Sequence, residues 1–258
     1  MVKELTATAI TRGQKTEIIG QKVIYLASVP STMDTARAAA LKGAEEGTVV
    51  ITGEQTGGRG RLKRQWVSPK GNIALSIILY PDIAHLPYLI MIASLAVVYS
   101  IESITGVKAQ IKWPNDVLID GKKVCGILIE NQVKRGKAAY SIVGIGINVA
   151  LKPTDYAEIA DTAISLKNTK VKGDVRLKLI KALLQEFDEL YVNLPHPKPI
   201  YKAWRDKLVT LGKKVKATSG SQTIEGIAKA VDEDGALWIR GAEGTLTKVV
   251  AGDVTLRE

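Results

Sequence analysis

The amino-acid sequence predicts an α+β protein, in which a mixed, largely antiparallel sheet packs with helices and a small β-barrel follows. Three observations carry this. Between Ala109 and Val149, runs of β-branched residues separated by short turn signals read as consecutive strands joined by hairpins. Segments with long apolar runs or apolar residues at helical spacing lie on either side of this block. From Leu211 onward the texture changes to five short strands parted by "TSGSQ", "DEDG", "GAEG" and "AGD", which suits a small barrel. This divides the chain into domains 1–209 and 210–258.

The elements follow in order. Val23 to Leu26 is a short apolar strand. "STMDTARAAALKG" reads as a helix with a Ser/Thr cap, Asp34 in its first turn, alanines inside and Gly43 as its stop. Thr48 to Thr52 is a strand, "GEQTGGRGRLKRQW" a glycine-rich loop, and "NIALSIILY" a long strand. An apolar helix runs from about Pro87 to Ile104. The hairpin block then reads "AQIKW", "DVLID", "KKVCGILIE" and "AYSIVGIGINV". From Val175 to Val192, apolar side chains at Leu177, Ile180, Leu183, Leu184, Phe187 and Leu190 recur every three or four residues, an amphipathic helix. Pro195, Pro197 and Pro199 end it, and "IYKAWRDKL" starts another.

Composition narrows the function. With 46% hydrophobic and 24% charged residues in 258, the chain is neither disordered nor collagen-like. Its one cysteine, Cys125, rules out a disulfide framework and fits a reducing compartment. The apolar stretch Leu86 to Val98 is broken by Pro87, Tyr88 and Ser94 and falls short of the ~18 residues that span a bilayer. The N-terminus carries Lys3, Glu4 and Arg12 with no apolar secretion core. These readings predict a cytoplasmic protein with no membrane contact. A net charge of +10 points to an acidic partner: nucleic acid, a phosphorylated ligand or an acidic protein surface. Lysines spread for solubility give the same number, so charge does not choose.

The sequence lacks a G-x-x-x-x-G-K-[ST] loop, a G-x-S-x-G elbow and any zinc-like Cys/His spacing. His85 and His196 stand alone beside prolines, and Cys125 lies in an apolar strand with no nearby histidine, so it reads as a core thiol. The loop "EQTGGRGRLKRQW" is more informative. Gly57, Gly58 and Gly60 let its backbone approach a ligand, while Arg59, Arg61, Lys63 and Arg64 put four cations in six positions, so phosphate is the natural guest. A solvated turn or a nucleic-acid contact would account for that composition too, but Trp66 supplies a flat ring suited to a pocket wall. In "IKWPNDVLIDGKKVCGILIE", Pro114 turns the chain and leaves Asn115 and Asp116 at the end of a buried element, with Lys123 two residues before Cys125 and on its face. "GIGIN" ends an apolar strand with Gly144, Gly146 and Asn148, glycines that mark a bulge or close backbone packing.

"STM", "EQTGGRGRLKRQW", "KWPNDVLIDGKKVCGILIE" and "GIGINV", in this order from Ser31 to Val149, resemble the biotin protein ligase family. The tail from Leu211 is similar to that family's SH3-like C-terminal domain. The resemblance implies a class II synthetase-like catalytic domain and a two-step reaction: ATP activates biotin as biotinyl-5′-AMP, and a lysine of a biotin carboxyl carrier protein takes the acyl group. It implies ATP and biotin as substrates, with Mg²⁺ expected beside ATP though the sequence shows no carboxylate cage. By the same resemblance Ser31, Thr32, Met33, Gln55, Gly58, Arg59, Gly60, Arg61, Lys123 and Gly126 bind biotin. Arg59, Arg61, Trp66, Asn115, Lys123 and Asn148 hold the adenylate, and Arg59, Arg61, Lys123 and Asp116 carry the catalysis. Two departures stand out: Lys63 where the family has a later glycine, and Met33 where it has a polar residue. Only about thirty residues precede Ser31, so no DNA partner is expected. A homodimer through sheet edges near Tyr140 to Val149 is expected. A lipoate–protein ligase is the nearest enzymatic alternative, and a non-catalytic nucleic-acid-binding protein the alternative from another class.

Overall fold

The structure is a computed structural model, and it describes residues 5–134, 137–168, 175–219 and 222–257. Its elements are α1 (Ala7–Thr11), β1 (Val23–Val29), α2 (Thr32–Leu41), β2 (Val49–Gln55), β3 (Ile73–Leu79), α3 (Tyr88–Thr105), β4 (Gln110–Lys112), β5 (Asp116–Ile119), β6 (Lys122–Lys134) and β7 (Lys137–Ile147). Next come α4 (Arg176–Val192), α5 (Lys198–Asp206), β8 (Lys214–Ser219), β9 (Gln222–Val231), β10 (Leu237–Arg240), β11 (Leu246–Val249) and β12 (Asp253–Arg257). α1 has no apolar repeat long enough to announce it, and Thr6 caps it by accepting from the Ala9 amide.

The first seven strands form one sheet in the order β1-β2-β3-β7-β6-β5-β4. All neighbours are antiparallel except β1 and β2, which are parallel because α2 returns the chain between them. The sheet therefore has two different faces. Ile73, Leu75 and Ile77 of β3, and Val143, Ile145 and Ile147 of β7, belong to the main core with α3 and α4. Ile78 and Ile142 lie on the opposite face, in a smaller cluster with Met33, Ala36 and Ala40 of α2. Strand alternation thus gives each face its own helices. α3 has the 18 residues expected for it; its whole length, unlike the stretch Leu86 to Val98 alone, is long and apolar enough to cross a membrane, but most of it is buried in this core.

Two expectations fail here. β7 pairs with β3 on one side and β6 on the other from Ser141 to Ile147, so these residues are not an edge, and no copy can add to the sheet there. Lys123 and Cys125 do not share a face either. The β5–β6 register shifts so that Leu118 opposes Lys123 while Val117 opposes Cys125, leaving Val124 as an extra residue. This bulge sends Cys125 into the core and turns Lys123 to the face of Gly126.

The buried carboxylate of Asp188 on α4 pins the N-terminal segment by accepting from the amides of Glu17, Ile18 and Ile19 at 2.7, 2.8 and 2.8 Å. The C-terminal strands form a second antiparallel sheet, β11-β10-β9-β8-β12. Its Val215, Ala217, Leu237 and Ile239 join the main core, and Trp113 donates its indole N–H to Gly235 O at 2.8 Å. Residues 252–256, at the start of β12, reach the first sheet's open face, where Arg61 and Arg64 bond Gly252 and Asp253.

Candidate active site

A cavity of about 900 Å³ occupies the sheet face beside α2. Its floor is bare backbone. Gly126 of β6 pairs with Gly146 of β7, and Leu128 pairs with Gly144. Trp66 lies directly on this glycine pair: a β-carbon at Gly146 would collide with the indole, and one at Gly126 would sit 3.0 Å from Cζ3. A β-carbon at Gly144 would stand 2.5 Å from Met33 Sδ. The "GIGIN" glycines therefore mark close packing of side chains on the sheet.

One end of the cavity is polar and neutral, lined by Ser31, Thr32 and Gln55. The Gln55 Oε1 accepts from the Thr32 amide at 2.9 Å and from the Thr32 hydroxyl at 3.2 Å. Ser76, fully buried on β3, donates its hydroxyl to Thr32 Oγ1 at 2.8 Å. Each hydroxyl has one proton, so this chain fixes their direction. Thr32 presents a lone pair, and Gln55, with its oxygen engaged, presents its two amide N–H donors. Acceptor beside donors is the complement of a cyclic urea.

The other end is cationic. Arg61, half-buried, donates to Asn115 Oδ1 at 2.8 Å and to Gly252 O, just before β12, at 2.8 Å. Burial pulls the Arg61 guanidinium down from its ordinary value, and the nearby charges of Asp116 and Asp253 oppose that. Arg64 pairs with Asp253 at 2.5 Å. Burial acts to raise the Asp253 carboxyl, but the bond from Arg64 and the charges of Arg64, Lys112 and Arg61 outweigh it and hold the group below the usual carboxylate range. Lys123 Nζ lies 2.6 Å from Asp116 Oδ1 and 5.5 Å from the Trp66 ring centre. Arg59 pairs with Asp34 on α2 at 2.6 Å.

Ser31, Thr32, Met33, Gln55, Arg59, Gly60 and Arg61 all line the one cavity, as do Trp66, Asn115, Asp116, Lys123, Gly126 and Asn148. Gly58 does not; it is buried behind Gln55 and Trp66, where a β-carbon would strike both. Cys125 is fully buried, and burial pushes its thiol far up. Sequence reasoning missed three contributors. Lys112 was legible inside "KWPND"; Ser76 was hidden in an apolar strand; Asp253 becomes visible only when the two sheets meet.

Residues 25–148 match the model of the biotin/lipoate A/B protein ligase family, and residues 210–257 that of the biotin protein ligase C-terminal domain. The Bacillus subtilis bifunctional ligase/repressor BirA is 38% identical over 259 residues, covering 98% of this chain and 79% of that protein. The chain belongs to the biotin protein ligase family. Among other biotin ligases, the Paracoccus denitrificans biotin–[acetyl-CoA-carboxylase] ligase is 33% identical over 82% of this chain and 92% of its own length. The Aquifex aeolicus biotin protein ligase in complex with biotin and ATP superposes with a TM-score of 0.76 at 31% identity, covering 92% of this chain and 99% of that one. Against that family's fold, no three His, Cys, Asp or Glu side chains converge among the described residues, and Asp116 is already paired with Lys123. Mg²⁺ that arrives with ATP is held by the nucleotide's phosphates, waters and one or two carboxylates, and needs no such cage.

Proposed function

We propose that this protein activates biotin with ATP and transfers the biotinyl group to a lysine of a biotin carboxyl carrier protein. The observation that carries the reading is the division of one cavity into a urea-complementary end and a cationic end, joined by a flat glycine floor. Biotin is a cyclic urea with a carboxylate tail, so its ring fits Ser31, Thr32 and Gln55 while its carboxylate reaches the cations. In the first step a carboxylate oxygen attacks the α-phosphorus of ATP, and the bond to pyrophosphate breaks. Arg59, Arg61 and Lys123 stabilise the charge that develops on the phosphate oxygens. In the second step a lysine amine attacks the acyl carbon, and AMP leaves with the bonding pair. Asp116, paired with Lys123, orients that ammonium or takes the proton from the incoming amine.

Trp66, Asn115 and Asn148 serve the nucleotide. The mixed anhydride hydrolyses in water, so the loop 53–66 serves as its cover, held against residues 252–253. Lipoate offers no urea to the Thr32–Gln55 pair, which favours biotin. The nucleic-acid alternative is weakened because Arg59, Arg61 and Arg64 all line this one cavity and each engages a carboxylate or a cavity group. The division at 209/210, the cytoplasmic location and a homodimer belong to the same proposal. A second copy would need a free edge such as β1, and sedimentation tests whether one associates.

The test is to mix the protein, ATP, Mg²⁺, biotin and a carrier domain, then weigh the carrier intact. A gain of one biotinyl group, absent when the carrier's target lysine is replaced, is expected. An unchanged carrier mass would overturn the reading.

A further inference from the structure

Asn72 lies outside the cavity, between the glycine-rich loop and β3, and is 1% exposed. Its Oδ1 accepts three successive backbone N–H groups, from Val149, Ala150 and Leu151, at 3.0, 2.9 and 3.0 Å. The turn that leaves β7 is thus wrapped around one amide oxygen. Gly71, at φ +99°, lets the two segments meet: a β-carbon there would stand 2.9 Å from Ala150 Cβ.

The residue before that turn is Asn148, which lines the cavity and is 2% exposed. Its Nδ2 donates to Lys123 O at 3.4 Å and Ile164 O at 3.2 Å, so the amide's nitrogen end is tied to the protein. The Oδ1 is buried and has no partner among the described residues. A buried acceptor with no protein donor awaits one from a ligand. The exocyclic amine is the only N–H donor that adenine offers in ATP; hypoxanthine, in ITP, carries an acceptor oxygen there instead.

We propose that Asn72 is a positioning residue for nucleotide selection: by holding residues 149–151 it aims the Asn148 acceptor at the 6-amino group of the purine. This rests on the ATP-dependent reading above. The Nδ2 of Asn72 has no partner among the described residues, so the fold uses only the oxygen. A carboxylate at this position keeps the three acceptor bonds, whereas a methyl group loses them all.

Adenylate formation by Asn72→Ala and Asn72→Asp is compared with wild type using ATP and ITP, with biotin and nucleotide varied separately. For Asn72→Ala the expected result is a KM for ATP raised by about tenfold, an unchanged KM for biotin, and a smaller preference for ATP over ITP. Asn72→Asp restores both the KM and the preference. Asn72→Ser, whose oxygen cannot reach the same point, replaces the alanine variant if that does not fold. An unchanged ATP/ITP ratio in the folded alanine or serine variant would overturn the proposal, as would biotin and ATP constants rising together, which marks general damage. A wild-type protein that makes no adenylate contradicts the functional reading instead, and equilibrium binding of ATP and ITP then decides the Asn72 question by the same ratio.

Discussion

Asp116 and Lys123 form an ion pair of 2.6 Å across the bulge that turns Lys123 into the cavity. Were Val124 paired in regular register instead of bulged, Lys123 would alternate onto the face of Cys125, its ammonium would enter the core and the cationic end would lose a member. Lys123→Ala and Arg59→Ala should each slow adenylate formation by at least ~100-fold, the scale for losing a preorganised group at developing charge. Single-turnover rates close to wild type for both variants would contradict this use of the cations.

Gly146 has no tolerance for a side chain, because the indole of Trp66 occupies that space. Gly146→Ala displaces the ring and should raise the KM for ATP by about tenfold, the cost of one misplaced carbon in a close-fitting pocket. Steady-state kinetics with ATP varied measures it. An unchanged constant would mean that the nucleotide does not use Trp66.

Asp188 is distant from the chemistry and holds three backbone donors. Removing the carboxylate leaves buried N–H groups with no acceptor, so Asp188→Ala should lower stability by about 3 kcal/mol or more. Urea unfolding reads the change directly. A loss below about 1 kcal/mol would show that water replaces the carboxylate.

The cover over the cavity is latched to the second sheet by Arg64 and Asp253, both partly exposed, so the pair contributes at most about 1 kcal/mol. The folded-state carboxyl of Asp253 lies below its ordinary value. Its contribution is therefore present above the ordinary carboxylate range and is lost as pH falls through the lowered folded value. Asp253→Asn should be slightly less stable than wild type at about pH 7, with the difference shrinking as pH falls below the ordinary carboxylate range and through the lowered folded value. A difference that grows on acidification would contradict the sign.

The same latch makes a prediction for the loop. Three glycines carry conformational freedom, and neighbouring cations repel until an anion arrives, so ligand and loop order are coupled. Trypsin should cut after Arg59, Arg61 and Arg64 more slowly when biotin and ATP are present. Equal cleavage with and without them would assign the shielding of the adenylate to another segment.

Much of this was legible from residue order. Helix α2 announces itself by Ser31 at its N-cap position, although that side chain makes no capping hydrogen bond, by its alanines and by Gly43, and β3 and β7 announce themselves by their apolar runs, because local propensity and burial agree there. The site residues were legible as motifs. What stayed hidden depended on register and contacts distant in sequence. A bulge of one residue reverses which face Lys123 takes, and nothing local to "GKKVCG" signals it. The interior position of β7 follows from pairing with β3, more than sixty residues earlier. Ser76 reads as one polar residue in an apolar strand until Thr32 is placed across from it.

Formation of biotinyl-5′-AMP tests the central claim most directly. The protein is incubated with ATP and either biotin or lipoate, and the bound small molecules are identified by mass spectrometry. Biotinyl-AMP with biotin, and no lipoyl-AMP with lipoate, is the result predicted by a cavity that joins a urea-reading end to a cationic one. Lipoyl-AMP in place of biotinyl-AMP, or no acyl-adenylate at all, would contradict it.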